Sequence, residues 1–311
     1  MSRIAAVLRL AWASVAVATV SIAQAQGQVC AVAAQAGDYL KPVGGVLRRT
    51  ERSELLAEQA QKAVVLLGER HDSAEDHRWQ LHMLAQLHAL RPRLALGLEM
   101  FPRRLQSVLD RWVLGELSEA EFLRQSEWEK VWGFEPGPYL GLFHYARMNR
   151  LPMLALNVDR QVVSTVARQG LAALPESQRQ GVGSPAPPVE AYRKLLLKAY
   201  EAHPPGAGAA PASLEAEAAF ERFVEAQIFW DRAMAERLVA YHRSNPQVLL
   251  VAVMGSGHVR FGFGVAHQLA ALGLAPTGLL HTLEHSEEDC ASLRAGSGDA
   301  AYVLEKAATA P

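Results

Sequence analysis

Four short apolar segments of this chain each end directly in polar or ionisable residues. They occupy residues 64–67, 94–98, 152–156 and 248–254. Apolar runs of this length, rich in β-branched residues and bounded by breakers, are typical of buried strands. Helix-length segments separate them, and strands that alternate with helices form parallel sheets. The sequence therefore predicts an α/β fold: a mainly parallel central sheet flanked by helices, with a helical excursion at about 170–245 between the third and fourth core strands.

The carboxyl ends of these strands supply the candidate site, because ligands of open parallel sheets bind in the crevice just outside that edge. Glu69 and His71 follow the first segment, Glu99 follows the second, and His258 follows the fourth. A histidine beside carboxylates can act as a base, a metal ligand or a donor that anchors a ligand. The structural alternatives are a loop that caps the next helix through Asp72, and a structural ion pair for Glu99.

Further candidates lie on the third strand and on the connecting segments. Asn157 and Arg160 follow the third strand and suit either the orientation of a ligand or the joining of loops. Asp231 lies in a long helical pattern and is either a further acidic residue of the site or part of an ion pair on the helix surface.

The loop over residues 128–139 is dense in aromatic and turn residues, Trp132 among them. It predicts a ligand wall or, equally, a hydrophobic plug over the core.

Charge and motifs exclude several function classes. The formal net charge of -1 over 311 residues gives no footprint for nucleic-acid binding. The segment Gly255-Ser256-Gly257-His258 lacks the third glycine of a dinucleotide fingerprint, so a nicotinamide cofactor is not expected. The same segment lacks the strand-elbow context of a nucleophilic serine.

The N-terminus indicates export. Residues 1–25 combine arginines, a short apolar run and a small-x-small site, which predicts a signal peptide followed by a single domain over residues 26–311. The mature protein is then periplasmic or secreted. In such an oxidising compartment Cys30 and Cys290 are expected to pair, the alternative being two free thiols. Gln28 and Val29 are not the small residues expected before a lipid-attachment cysteine, so lipid anchoring at Cys30 is not expected.

Five motifs in order resemble those of the ChaN-like haem-binding protein family of bacterial envelopes, which is related to erythromycin-esterase-like and Tiki-type proteins. The resemblance covers about residues 64–272. The motifs are Leu66-Leu67-Gly68-Glu69-Arg70-His71-Asp72, Gly97-Leu98-Glu99-Met100-Phe101, Ala155-Leu156-Asn157-Val158-Asp159-Arg160, Trp230-Asp231-Arg232-Ala233-Met234-Ala235 and Gly255-Ser256-Gly257-His258.

The resemblance implies an α/β fold, haem bound between the protomers of a dimer, and a role in haem or iron uptake that could involve an outer-membrane receptor. It also implies tyrosinate ligation of the iron, for which Tyr139 is the first choice and Tyr145 the second. His71 and His258 would then bond to the ligand or its propionates, and Arg103 or Arg104 would pair with a propionate. The haem-binding set is Tyr139, Tyr145, His71, His258, Glu69, Glu99, Asn157, Arg160 and Trp132.

Three functions follow as hypotheses. The first is an exported haem-binding protein. The second is a hydrolase in which Glu69, His71, Glu99 and His258 activate water, with or without a metal. The third is a purely structural envelope protein. It is the least favoured, because a structural protein would not need so many ionisable groups at the ends of its strands.

Overall fold

The computed structural model describes residues 30, 32, 34–202, 214–284 and 286–304. The predicted signal peptide lies outside the described residues. The strands are β1 (Tyr39–Val43), β2 (Val46–Thr50), β3 (Val64–Glu69), β4 (Leu94–Pro102), β5 (Met153–Asn157), β6 (Leu249–Gly255), β7 (Thr277–Leu283) and β8 (Ala300–Val303). The helices are α1 (Arg52–Gln59), α2 (Ala74–Leu90), α3 (Gln106–Leu114), α4 (Glu119–Gln125), α5 (Trp128–Val131), α6 (Gly137–Met148), α7 (Arg160–Gln169), α8 (Glu190–Ala202), α9 (Leu214–Ser244), α10 (Val265–Ala271) and α11 (Glu287–Arg294).

These strands form one sheet in the order β2-β1-β8-β7-β3-β6-β4-β5. The pairs from β8 to β5 are parallel. Strand β1 pairs antiparallel with both β2 and β8. The predicted α/β class is confirmed. The chain leaves β3 toward β4, returns to place β6 between them, and then crosses to β7 on the far side of β3. This reversal of direction opens a crevice at the carboxyl ends of β3, β6 and β4.

The central strands are buried on both faces, which explains why they read as continuous apolar runs. Alternate side chains point to opposite faces of a strand. Val65 and Leu67 of β3 therefore join the core beneath α1–α6, whereas Val64 and Leu66 join the core beneath α9 and α10. Helices thus cover the sheet on both sides.

The predicted helical excursion is confirmed between β5 and β6, where α7, α8 and α9 lie. Helix α9 is 31 residues long. Its residues Met234, Ala235 and Leu238 pack on the sheet. Phe229 and Ala233 of the same helix pack on α7 in a separate cluster. The excursion is therefore anchored to the sheet by α9 and lies directly beside the crevice.

Residues 39–50 form two strands that the apolar patterns of the sequence do not predict. Strands β1 and β2 form a hairpin there, in which Val43 faces Val46 across Gly44 and Gly45. Both glycines have positive φ, 58° and 79°. Two successive positive φ values are the requirement of the favoured two-residue hairpin turn, which glycine meets without strain.

The starts of three helices show how each is capped. Ser73, and not Asp72, caps α2, since its side chain accepts a hydrogen bond from the amide of Asp76. Helix α1 begins after Glu51 and has no side-chain cap. Helix α4 begins with a capping box, in which the side chains of Ser118 and Glu121 each accept a hydrogen bond from the other residue's backbone amide.

Cys30 and Cys290 form the expected disulfide, with their Cα atoms 5.3 Å apart. Cys290 lies in α11, a helix that the sequence pattern did not reveal. Both cysteines are buried in a small core with Leu40, Leu283 and Leu293. The bond therefore ties the start of the described chain to its C-terminal helix.

None of the helices in the described ranges combines the length and the apolar character that a bilayer crossing requires.

Candidate functional site

The crevice at the carboxyl ends of β3, β6 and β4 gathers two imidazoles and three carboxylates. Glu69 ends β3 opposite Gly255, which ends β6. Glu99 lies in β4 where its pairing with β5 shifts register between Leu98 and Pro102. Such an irregularity bends a strand and redirects its side chains. We call Glu69, His71, Glu99, Asp231 and His258 the acid–imidazole cluster.

Glu69 is the centre of the first half of this cluster. It is 2% exposed, and its Oε1 accepts from Nδ1 of His71 at 2.9 Å and from the Tyr139 hydroxyl at 3.0 Å. Nδ1 of His77 lies 3.3 Å from Oε2 of Glu69 and 3.1 Å from Oε1 of Gln80, so it can donate to either. His71 and Tyr139 therefore orient one buried carboxylate through Oε1, and His77 lies within ion-pair distance of Oε2.

Asp231 organises the second half. It is fully buried, and its Oδ1 lies 2.7 Å from Nδ1 of His258, while its Oδ2 accepts from the Tyr192 hydroxyl at 2.8 Å. Nε2 of His258 lies 3.5 Å from Oε1 of Glu99. The surface ion pair considered for Asp231 is therefore wrong, because this carboxylate faces inward.

Glu99 joins the two halves. It is 1% exposed, and its Oε2 accepts from the Gly255 amide at 2.7 Å. A Cβ added to Gly255 would lie 2.9 Å from Cε1 of His71 and 3.7 Å from Oε2 of Glu99. Only glycine at this position leaves room for the imidazole to approach the strand ends.

The electrostatics of the cluster favour charged His71 and His258 and an ionised Glu69. Burial alone would raise the pKa of Glu69, but hydrogen bonds from His71 and His77 outweigh it and lower that pKa. Burial opposes the charge on His71, yet its bond to Glu69 raises its pKa. Burial likewise opposes the charge on His258, and Glu99 and Asp231 nevertheless raise its pKa to about 9. Each imidazolium thus offsets a carboxylate that would be costly to bury alone.

A large cavity of about 830 Å³ lies beside the cluster, between the ends of β4 and β5 and the helices α5, α7 and α9. Its wall includes Trp132, whose ring meets His71 edge-on at 4.6 Å, and Trp230, whose ring meets His258 at 5.1 Å. Asn157 and Arg160 also line it. The indole rings of Trp132 and Trp230 therefore lie between the acid–imidazole cluster and the cavity.

The predicted site residues do not all meet. Glu69, His71, Glu99 and His258 converge, and Tyr139 joins them from α6. Asn157 donates to the carbonyl of Glu99 at 3.1 Å and so joins two strand ends as well as lining the cavity. Tyr145 lies elsewhere, with its hydroxyl 3.0 Å from Nδ1 of His88 near the end of α2.

The arginines expected to meet a propionate are already engaged. Arg104 bonds to Glu127 and to Asp159, the latter at 2.7 Å. Arg103 donates to the carbonyls of Gln180 and Ala233. Arg160, by contrast, is exposed at the start of α7 and makes no hydrogen bond or ion pair with the residues that the structure describes.

Sequence reasoning missed His77, Tyr192 and Trp230 as site residues. His77 and Tyr192 lie on α2 and α8, remote from the strand ends that guided the prediction. Trp230 precedes Asp231 in one of the motifs, so the motif itself was the available signal for it. Nothing in the sequence pairs Tyr192 with Asp231, since 39 residues separate them.

The family described as "Haem-binding uptake, Tiki superfamily, ChaN" matches residues 55–269, more than half of the chain. The chain belongs to this family. The expected resemblance is confirmed, and all members of the acid–imidazole cluster lie within the matched range. No curated protein matches the chain.

Two solved structures are similar to this ChaN-family chain to different degrees. One, described as cofacial haem binding to ChaN of Campylobacter jejuni, has a TM-score of 0.66 at 18% identity and covers 86% of this chain and 97% of that one. The other is a mutant of the erythromycin esterase EreC in its open conformation. It has a TM-score of 0.44 at 13% identity, covering 74% of this chain and 72% of that one.

The cavity of this ChaN-family chain matches haem in part. Its volume, its two indole rings and the guanidinium of Arg160, which pairs with no side chain in the described part of the structure, suit a flat apolar ligand with carboxylates. The iron donors fit less well. The cavity wall in the described chain holds no tyrosine, histidine or cysteine. Nor does any group of three His, Cys, Asp or Glu side chains there have the arrangement of a metal site.

Tyr139 is not presented to a ligand in this structure. Its side chain has no exposed surface, and its hydroxyl bonds to Glu69 and to the carbonyl of His71, each at 3.0 Å. Burial and the nearby charge of Glu69 raise its pKa. A raised pKa disfavours the phenolate that ligates ferric iron, so Tyr139 acts here as a hydrogen-bond partner of Glu69.

Proposed function

We propose that this chain is an exported haem-binding protein that takes part in haem or iron uptake in the bacterial envelope, as a periplasmic or secreted protein that dimerises when it binds haem. Delivery to or from an outer-membrane receptor belongs to the same proposal. The family match carries it, and the cavity beside the cluster supports it. The disulfide supports export, because such bonds persist in oxidising compartments.

The cavity would hold the porphyrin through apolar and aromatic contacts with Trp132, Trp230 and Phe223. Arg160 would pair with a propionate, since it lines the same cavity and its guanidinium is uncommitted within the described chain. Haem supplies an iron centre and two carboxylates when bound. Ligation of that iron by Tyr139 would require its hydroxyl to leave Glu69, at the cost of a buried hydrogen bond.

Arg160→Ala is expected to weaken hemin binding about tenfold, which corresponds to roughly 1.4 kcal/mol for one charged contact at an exposed rim. Absorption titration of purified full-length protein with hemin measures this, and sizing of apo and loaded protein reports the dimer. The control is Arg168→Ala, on the same helix, where the side chain bonds to Ser164 and to no other residue that the structure describes. Equal affinity of the two variants would remove Arg160 from the site, and absence of any Soret change in the wild type would overturn haem binding.

The acid–imidazole cluster favours a second candidate function, hydrolysis of an ester or amide. Two carboxylate–histidine pairs flank Glu99, so a base and an acid are positioned within one crevice. In this reading His71 is the accessible group, because its side chain is 31% exposed while that of His258 is 10% exposed.

Glu99→Gln tests the hydrolytic candidate with little change of shape. Loss of a positioned acid or base typically costs 10²–10⁴-fold in rate, so a panel of ester and amide substrates should lose turnover by about that factor. Haem affinity of the same variant is measured separately. Absence of turnover by the wild type across the panel would leave haem binding as the single function.

A further inference from the structure

The helical excursion contributes two buried side chains to the cluster. Tyr192 on α8 is 2% exposed and Asp231 on α9 is fully buried. Each Asp231 oxygen has one side-chain donor: Oδ2 meets the Tyr192 hydroxyl at 2.8 Å, and Oδ1 meets Nδ1 of His258 at 2.7 Å. Both oxygens of the Asp231 carboxylate are therefore fixed by hydrogen bonds, and the carboxylate in turn fixes the orientation of the His258 ring.

The loop after His258 packs closely against Asp231 and His258. A Cβ at Gly264 would lie 2.6 Å from the carbonyl oxygen of His258 and 2.9 Å from Oδ1 of Asp231. The ring of Phe263 lies 6.3 Å from that of Tyr192. No side chain larger than hydrogen fits at position 264, so backbone as well as side chains fix the distance between Asp231 and His258.

The charged groups that face His258 come from three elements. Asp231 on α9 and Glu99 on β4 attract a proton to its ring, while His71 after β3 carries a like charge. Two carboxylates against one imidazole favour the doubly protonated ring. With Nδ1 bound to Asp231, the other nitrogen is the one directed at Glu99 and the crevice.

We propose that Asp231 and Tyr192 are positioning residues, which hold His258 as a fixed imidazolium with Nε2 aimed at Glu99, so that His258 meets any ligand of the crevice as a proton donor and not as a base or metal ligand. The excursion between β5 and β6 is then part of the site and not only a cover for the sheet. This inference holds whichever ligand the crevice takes.

The test follows the ring nitrogens of His258 by ¹⁵N NMR in the full-length protein without haem or substrate, with the signal assigned by its loss in His258→Gln. Both nitrogens should be protonated at neutral pH, with deprotonation near pH 9, since the pKa is raised to about 9. Asp231→Asn should lower the midpoint by roughly 1–3 units, because it removes one opposite charge in contact. The control Glu236→Gln changes an acid of the same helix that pairs with Arg232 and should leave the midpoint in place.

A wild-type midpoint below pH 7, or equal midpoints in Asp231→Asn and Glu236→Gln, would overturn the proposal. If Asp231→Asn does not fold, Tyr192→Phe carries the test. It frees Oδ2 of Asp231 and should speed exchange of the Nδ1 proton of His258 with water, whereas unchanged exchange contradicts a positioning role. Hemin titration of the same proteins is independent of these outcomes, so failure here is distinguishable from failure of haem binding.

Discussion

Replacement of Glu69 by alanine is expected to lower the free energy of unfolding by about 3–5 kcal/mol, the cost of removing one partner of a buried ion pair. His71 and the Tyr139 hydroxyl would lose their shared acceptor, and His77 would lose the carboxylate 3.3 Å from its Nδ1. A buried donor without a partner carries its full desolvation cost. Urea unfolding of both proteins at about pH 6 measures the difference. Glu69→Gln retains the shape and should lose less.

The loss should depend on pH with a definite sign. The pKa of Glu69 is lowered in the folded protein, so its contribution is present above the unfolded value of about 4.3 and disappears as pH falls through the folded value. The pKa values of His71 and His77 are raised. Their contribution is present below about 6.5 and disappears as pH rises through the folded values. The difference between wild type and Glu69→Ala should therefore peak between these limits.

An exposed acid provides the control. Glu129→Ala, on the surface of α5, should change stability by less than about 0.5 kcal/mol. A loss of that size for Glu69→Ala would contradict a central role of this carboxylate, as would a loss that is constant between pH 3 and 6.

The strands and the convergence of the site could be predicted because both depend on local patterns. Residues 64–67 are all apolar, which predicts a parallel strand that is buried on both faces. Glu69 follows this segment and is therefore predicted to lie at the carboxyl end of the strand, where ligands bind. The same logic applies to Glu99 and His258. The carboxyl ends of parallel strands lie at the same edge of the sheet. The proximity of three segments that are distant in the sequence can therefore be predicted without predicting any individual contact between them.

What could not be predicted depends on long-range packing. The hairpin over residues 39–50 pairs with β8 at the other end of the chain, so no local apolar run marks it. Asp231 could be a surface residue or a buried one, and only the position of α9 against His258 decides. Tyr139 bonds to Glu69, and its burial beneath the aromatic loop follows from the packing of Trp128 and Phe143 around it.

The aromatic loop shows how both interpretations of one segment can hold. Trp128 is buried in the main core with Phe101 and Phe143, as a hydrophobic plug would be. Trp132 lies four residues later, lines the cavity and touches His71. One helical turn therefore separates the residue that is buried in the core from the one that lines the cavity.

Removal of the disulfide by Cys30→Ala and Cys290→Ala together is expected to lower the free energy of unfolding by about 5–6 kcal/mol in the chain-entropy model, because the bond closes a very long loop. The sequence separation of 260 residues means that the unfolded chain loses nearly all freedom of its two ends relative to each other. Alanine avoids burying a new hydroxyl among Leu40, Leu283 and Leu293.

Denaturant unfolding of the wild type with and without reductant, beside the double variant, measures this contribution. Reductant should bring the wild type to the level of the variant and leave the variant unchanged, which separates loss of the cross-link from loss of side-chain volume. Amide exchange should also rise in α11, because Cys290 fixes that helix to the start of the described chain. Exchange at β3 and β6 should change less, since their parallel ladder forms without the bond. A stability difference below 1 kcal/mol would mean that the hairpin and β8 hold the two ends of the chain together through the sheet alone.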